Sequence, residues 1–408
     1  MKNSIPPLVA CALSLPALAA DRLVPSQYST IQAAIDAAAA GDAVLIAAGS
    51  YPQSFNTNGK AILVCGSDPA NPPLIVGRTD ERSLSVTSGE LSTTVVRDIA
   101  FAGVPGGILR GGGAFISGSS PTIERCRFEY ITNAPSAGTW GGAVDVASGS
   151  PQLRSCRFVG NRITSSTPCD GGALVVRGGS PTIESCQFAD NGGRQGADLF
   201  AVGVPSVITL AACEYSGSSG GGFGARIYNY GPGNSGTVVI LRDCVFRSVS
   251  QSAVSLVHGW DEVRATGTRF LDCNLGTFGG ALFSQSRNLL SVTDSEFRNN
   301  ACGGVISVDP TQGGHATVRS SRFCGGQPAG PDFGPQIADL GGNSVNQQCC
   351  VGDILADSII NGADLGAVLS YWGPVTSSSV SRSCDLNGDD VVNGADLGTL
   401  LANWGPCS

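Results

Sequence analysis

The strongest chemical signal lies near the C-terminus. The twelve residues from Asp385 to Asp396 place side-chain oxygens at the first, third, fifth, ninth and twelfth positions, on Asp385, Asn387, Asp389, Asn393 and Asp396. A hard cation such as Ca²⁺ takes six or more oxygens around one point, and the backbone carbonyl of Val391 adds another at the seventh position. The spacing predicts a calcium loop, with Asn393 acting directly or through water and Asp396 closing the loop from a following helix. Thirty-two residues upstream the pattern returns, with Asp353, Asp357, Asn361 and Asp364 in matching places. Leu355 stands where Asn387 stands in the second copy, so the first loop lacks one oxygen ligand. Ser358 and Asp390 replace the glycine usual at the sharp turn. The plainer reading of either loop is a solvated acidic turn.

Each loop is followed by apolar residues at helical spacing: Leu365, Val368, Leu369 and Trp372, then Leu397, Leu400, Leu401 and Trp404. Two short helices packed face to face as a pseudo-twofold pair are expected. This duplicated loop and helix resembles a dockerin over residues 351–408. The resemblance implies bound calcium and a cohesin-like or cell-surface protein as receptor, usually in carbohydrate-degrading assemblies. The pair after the ninth position is Gly362-Ala363 in one copy and Gly394-Ala395 in the other, small residues that give a partner little to grip.

No catalytic set of comparable strength stands elsewhere. Lys60 is the only lysine beyond Lys2, which argues against a lysine base, and His258 and His315 share no acidic neighbour pattern. Asp145 and Asp198 lie between apolar residues and are expected to face outward on strands two repeats apart. They would then be about 10 Å from each other, just beyond the roughly 6.5–9.5 Å of an inverting carboxylate pair. Arg226 follows one repeat later and could hold an anionic sugar, while Tyr228, Tyr230 and the insertion from Asn229 to Gly236 could form a sugar-stacking lip. Ordinary surface charge is the plainer reading of this group.

A thirty-residue repeat supplies the elements that must position these groups. Pro121, Thr122, Ile123, Cys126 and Phe128 return as Pro151, Leu153, Cys156 and Phe158, then as Pro181, Thr182, Ile183, Cys186 and Phe188. Aromatics recur at Phe101, Phe128, Phe158, Phe188, Tyr215, Phe246, Phe270, Phe297 and Phe323, at intervals of 24 to 31 residues. A column of small residues runs through Gly113-Ala114, Gly142-Ala143, Gly172-Ala173 and Gly196-Ala197, and on to Gly304-Val305. A period of roughly 20–50 residues marks a stacked architecture whose units bury their apolar sides against their neighbours. Short apolar runs parted by Gly, Pro, Asn and Ser read as strands. The fold class is therefore all-β, a right-handed parallel β-helix of about ten coils with like residues about 4.8 Å apart along the axis. In-register stacking sets Glu124, Arg154 and Glu184 on successive coils with alternating sign. It also aligns Cys126, Cys156, Cys186, Cys213 and Cys244 as parallel vectors, which miss disulfide geometry and predict buried thiols.

Composition agrees with a shallow solenoid: 57 Gly, 14% charged residues, and 22 Arg against two Lys. The net charge of −8 is uneven, since residues 351–408 hold seven Asp and one Arg. No basic stripe exists to neutralise phosphates, which excludes a nucleic-acid partner. Lys2 precedes an apolar run from Ile5 to Ala20 that ends in small residues before Asp21, the pattern of an export signal. The run is too short and Pro-interrupted for a membrane span; Leu8-Val9-Ala10-Cys11 leaves open a lipoprotein box. A secreted, extracellular or cell-surface location is expected. Removing Cys11 from the 15 cysteines leaves 14, and a disulfide is expected in the tail among Cys349, Cys350, Cys384 and Cys407.

Residues 29–38 carry the one helical pattern of the main body. Ser29 is the expected cap, and Ile31, Ala34, Ile35 and Ala38 share a face that closes the open end of the solenoid. The run from Tyr28 to Ile35, followed by Gly41-Asp42-Ala43-Val44 and Gly49-Ser50-Tyr51, resembles the opening of pectin-lyase-like right-handed β-helix proteins. With the coils, the resemblance covers residues 22–345 and implies secretion and polysaccharide substrates, although the fold also serves adhesins and tail spikes. The Asn-Thr-Asp, Gly-His-Gly and Arg-Ile-Lys signatures of its hydrolases are absent; Arg226-Ile227-Tyr228 and His258-Gly259 are fragments of them. The expected organisation is a signal at 1–20, a β-helix at 21–345 and a dockerin-like module at 346–408. The expected function is carbohydrate-interacting, adhesive or structural. The alternative is a polysaccharide depolymerase, either a glycoside hydrolase or a lyase.

Overall fold

The computed structural model describes residues 19–77, 81–103, 112–133, 141–163, 171–193, 196–202, 205–217, 227–230, 236–249, 253–257, 261–273, 281–284, 288–300, 305–309, 313–325, 333, 335–346, 351–355, 359–375, 379–387, 389 and 391–406. Three strands per coil feed three long parallel sheets, each strand pairing only with its equivalents on neighbouring coils. Among the described residues the first sheet has 13 strands, from Asp21–Val24 to Ile337–Asp339. The second has 12, from Ser50–Tyr51 to Ser344–Asn346, and the third has ten, from Phe55–Asn56 to Ile306–Val308. The chain is thus the all-β parallel solenoid that its period predicts.

The aromatics are the clearest consequence of register. Phe101, Phe128, Phe158 and Phe188 occupy one row of the second sheet, and the row continues through Tyr215, Phe246, Phe270 and Phe297 to Phe323. Neighbouring rings stack with centroids between 4.3 and 5.1 Å apart and planes within 13° of parallel. Isolated rings prefer offset or edge-on contacts; here the spacing of the strands, about 4.8 Å, dictates the stack. All nine side chains are buried.

Two columns of polar groups line the bends. Arg125, Ser155, Ser185, Ala212 and Asp243 have positive φ, and each is followed by a cysteine of the expected column. The thiols remain free and buried. Instead of bridging, each reaches a carbonyl of the preceding coil: Cys156 to Ile123 at 3.5 Å, Cys186 to Leu153 at 3.5 Å, Cys213 to Ile183 at 3.5 Å and Cys244 to Leu210 at 3.4 Å. Farther along, Thr268, Ser295 and Ser321 take the same place with hydroxyls. At the next bend, Asn161 donates to the Phe128 carbonyl at 2.8 Å and accepts from the Ile131 amide at 3.0 Å. Asn191 repeats the pattern one coil on. Such side chains satisfy backbone groups that the strands leave unpaired at the corners. The asparagine ladder is not evident from the period alone.

Register corrects two expectations. Ala114 pairs with Val144, so Gly113-Ala114 sits one residue out of step with Gly142-Ala143. Leu174 pairs with Leu199, which places Ala173 opposite Asp198. Inward apolar residues set the register, and the small corner residues follow. The N-terminal helix α1 (Ile31–Ala37) buries Ile31, Ala34 and Ile35 as expected, but its cap is Thr30, which accepts from the Ala33 amide at 3.1 Å. The charge column holds: Glu124, Arg154 and Glu184 are in register, and Arg154 and Glu184 approach to 3.6 Å.

The tail carries helices α2 (Gly362–Ser370), α3 (Ser379–Cys384) and α4 (Gly394–Ala402). They enclose a separate apolar cluster of Ile360, Val368, Cys384, Val392 and Leu400. The two repeats interlock through short antiparallel pairs: Ile359–Ile360 with Gly405–Pro406, and Gly373–Pro374 with Val391–Val392. The expected apolar faces bury only in part. Val368 and Leu400 are buried, whereas Leu369, Trp372, Leu401 and Trp404 are exposed, because helices this short bury a single turn against one another. Cys384 is a free thiol, and Cys349, Cys350 and Cys407 lie outside the described residues. Cys324 of the solenoid is disulfide-bonded.

Candidate metal centre and charged outer face

In the second tail loop, carboxylate oxygens of Asp385, Asp389 and Asp396 lie within 4.8 Å of one another. Asp385 and Asp396 are buried and Asp389 is exposed. The Asp389 amide donates to Asp385 Oδ1 and to Asn387 Oδ1, both at 3.1 Å, and the Val391 amide donates to Asp389 Oδ1 at 3.0 Å. These turns fold alternate side chains toward one point. The side-chain amide of Asn387 and the backbone amide of Val391 hold the Asp389 carboxyl below its ordinary range.

Asn393 caps α4, its Oδ1 accepting from the Ala395 amide at 2.7 Å while its side-chain Nδ2 donates to the Val391 carbonyl at 3.1 Å. Asp396 completes the capping box. Its Oδ2 accepts from the Asn393 amide at 2.8 Å, and its Oδ1 accepts from Leu386 at 2.7 Å and Asn387 at 3.1 Å. One carboxylate therefore fastens the start of the loop to the start of the helix. Three carboxylates this close, two of them buried, repel one another. A divalent cation removes that repulsion, and an all-oxygen donor set suits calcium.

The first loop repeats the frame. Asn361 caps α2, and Asp364 accepts from Ile354 at 2.8 Å, Leu355 at 3.0 Å and Asn361 at 2.9 Å. Leu355 is exposed and brings no oxygen, Asp353 is buried, and Asp357 lies outside the described residues.

On the solenoid, the carboxylates expected to face outward are sealed. Asp145 is fully buried and accepts both arms of Arg177, Nε and Nη2, at 2.9 Å each. Asp198 is also fully buried and accepts from Asn191 at 2.9 Å. Asp145 stands opposite Val175 and Phe200, two residues along from Asp198, so the two do not form an open pair. Arg226 and His258 lie outside the described residues, as do the side chains of Tyr228 and Tyr230. His315 is exposed at the start of a strand of the first sheet.

The same face holds an arrangement that the sequence did not advertise. Phe115 pairs with Ser85 on one side and Asp145 on the other. The Arg82 guanidinium lies over its ring at 3.9 Å from the centroid, with Arg177 at 5.9 Å. A cavity of about 370 Å³ adjoins this strip, lined by Gln32, Asn56, Glu81, Arg82 and Ser85 among others. The thirty-residue repeat sets Ser85, Phe115 and Asp145 in one row, but Arg82 and Arg177 lie outside that row, and no period of the sequence brings them to the ring. Among the described residues no helix is long and apolar enough to cross a membrane.

No protein-family model matches the chain, and no curated protein matches it either. Among solved structures it is similar to ORF18 of Geobacillus virus E2, at 12% identity and a TM-score of 0.40, over 71% of this chain and 56% of that one. The chain thus spans little more than half the length of that protein. It is also similar to the catalytic domain of a GH87 alpha-1,3-glucanase in complex with tetrasaccharides, at 10% identity and a TM-score of 0.40, over 84% and 71% of the two chains. A third is the Siphovirus 9NA tailspike receptor binding domain, at 14% identity and a TM-score of 0.29, over 83% and 81%. These superpositions are loose, and the functional reading rests on the residues of this chain.

Proposed function

We propose that the chain is an exported, carbohydrate-interacting or adhesive solenoid, held in place or assembled through a calcium-dependent, dockerin-like C-terminal module. The observation that carries this reading is the convergence of Asp385, Asp389 and Asp396 in a twelve-residue loop closed by a capped helix. Bound there, calcium would draw the three carboxylates together. Asn387 Oδ1 and the Val391 carbonyl are the further oxygens at hand, and Asn393 and Asp396 hold the helix in position. In the first loop the same places belong to Asp353, Asp357, Asn361 and Asp364. Leu369, Trp372, Leu401 and Trp404, two exposed apolar residues from each repeat, support a protein receptor of cohesin-like or cell-surface type.

The open cleft lined by Gln32, Asn56, Glu81, Arg82 and Ser85 supports contact with a polysaccharide, because polar side chains around a concave surface suit sugar hydroxyls. The sealed state of Asp145 and Asp198 favours binding over depolymerisation. Calcium titration by calorimetry on the full chain tests the metal centre. One clear binding event in the parent, lost in an Asp385→Ala, Asp389→Ala double variant, is expected; equal uptake by both would remove the centre and the anchoring role built on it. Reducing-end release from any polysaccharide would replace the binding role with catalysis.

A further inference from the structure

The two tail loops share a frame but differ in what faces their first aspartate. In the second, Asp385 points toward Asp389 and Asp396. In the first, Asp353 meets Arg322, which projects from the strand Arg322–Cys324 of the second sheet. Arg322 Nη1 donates to the Asp353 carbonyl at 2.9 Å, and Nη2 to its carboxylate at 3.2 Å. The aspartate side chain is 2% exposed and the arginine side chain 18%. One guanidinium thus grips both the backbone and the side chain of the residue that opens the loop.

Arg322 is not an isolated cation. In the same row of the second sheet stand Arg269 and Glu296, which pair at 3.1 Å. Arg269, Arg298 and Arg322 all border a cavity of about 330 Å³ between the flank of the solenoid and the tail. Val351, Gly352, Asp353, Ile354 and Leu386 close its other side. Asp294 and Glu296 line the same cavity, and with three arginines against two carboxylates the flank keeps an excess of positive charge toward Asp353 of the tail.

We propose that the first loop docks on the solenoid instead of binding a cation, with the Arg322 guanidinium supplying the positive charge that calcium supplies in the second loop. Loss of the third-position oxygen to Leu355 fits this division of labour: a loop held by a guanidinium has no need of a full oxygen shell. The tail then carries one calcium, and its first repeat is fixed against the last coils, leaving the outer surfaces of α2 and α4 open to a partner. The calcium count rests on the metal reading above; the docking contact stands independently of it.

Two readouts on the full chain separate these claims. Calcium calorimetry is expected to give one equivalent, unchanged in Asp353→Asn and lost in Asp385→Asn. Hydrogen exchange of residues 351–355 is expected to rise about tenfold in Arg322→Gln, as removing one partner of a buried pair opens the segment locally. Asp353→Asn removes the charge of the pair while keeping the backbone contact, so a smaller rise in the same segment is expected and serves if the arginine variant fails to fold. Two equivalents in the parent, or loss of one in Asp353→Asn, would overturn the inference. So would unchanged exchange in both variants of the contact. No calcium uptake at all, combined with faster exchange in Arg322→Gln, would uphold the docking and overturn the metal centre.

Discussion

Tyr215 is the single phenol in a ladder otherwise built of phenylalanine, and its hydroxyl is buried with no hydrogen-bond partner among the described residues. Burial pushes that phenol well above its ordinary pKa, so it stays neutral and unpaired. Replacing a buried, unsatisfied hydroxyl by hydrogen recovers its desolvation cost, and Tyr215→Phe is expected to stabilise the chain by about 1 kcal/mol. Denaturant midpoints of the two proteins measure it. The neighbouring thiols behave as small apolar groups: burial raises Cys126, Cys186 and Cys244 well above the ordinary thiol range. Alkylation of native protein should leave them unmodified, and unfolding should expose them together. Labelling of Cys126 or Cys186 in the folded chain, read by mass spectrometry, would contradict that.

At the level of elements, the N-terminal cap concentrates several roles. Lys60, the one lysine besides Lys2, donates to the carbonyls of Ile35, Asp36 and Ala38 at 2.8, 2.7 and 2.8 Å, sealing the C-terminal end of α1. This is where a cation best satisfies the last carbonyls of a helix. Asp42 accepts from the amides of Ala39 and Ala20 at 2.9 and 2.8 Å and from Arg22 Nη2 at 2.9 Å. Those amides, and then Arg22, lower its carboxyl to about 2. An unfolded aspartate titrates near about 3.9, so the unfolded state takes up the proton first as pH falls. The contribution of Asp42 is complete above about pH 4 and lost as pH drops through about 2. Asp42→Asn should flatten the acid limb of a stability profile between those limits; an unchanged limb would show that other carboxylates set it. Much of this cap is legible in the sequence, where apolar spacing marks α1 and its buried face. The choice of Thr30 over Ser29 is not, since either hydroxyl suits a cap and the entry of the chain from the first strand decides. The aromatic row, the thiol column and the tail loops were legible because the same residue type returns at the same place in successive repeats, even where the repeat length varies. The Arg82, Phe115 and Arg177 strip was not, because both arginines lie outside the strand row that holds Phe115 and reach its ring only through their side chains.

Among the described residues the solenoid and the tail each hold an apolar cluster, and the two share no residue. Separate cores predict separate unfolding, with the smaller one marginal by itself. Calorimetric melting should show two transitions, of which only the smaller moves when calcium is chelated, since a ligand stabilises the unit that binds it. A single transition insensitive to chelator would fuse the two units. The thirty-residue register of Glu124, Arg154 and Glu184 has a consequence for descent. A deletion that removed residues 151–180 would rejoin Phe128 to Phe188 and Cys126 to Cys186 in the inner rows, yet it would set Glu124 directly beside Glu184 and strip buried Asp145 of Arg177. Loss or copying of a single coil would therefore keep the inner aromatic and thiol rows in step, while the charge pairs record the event as a broken alternation of sign.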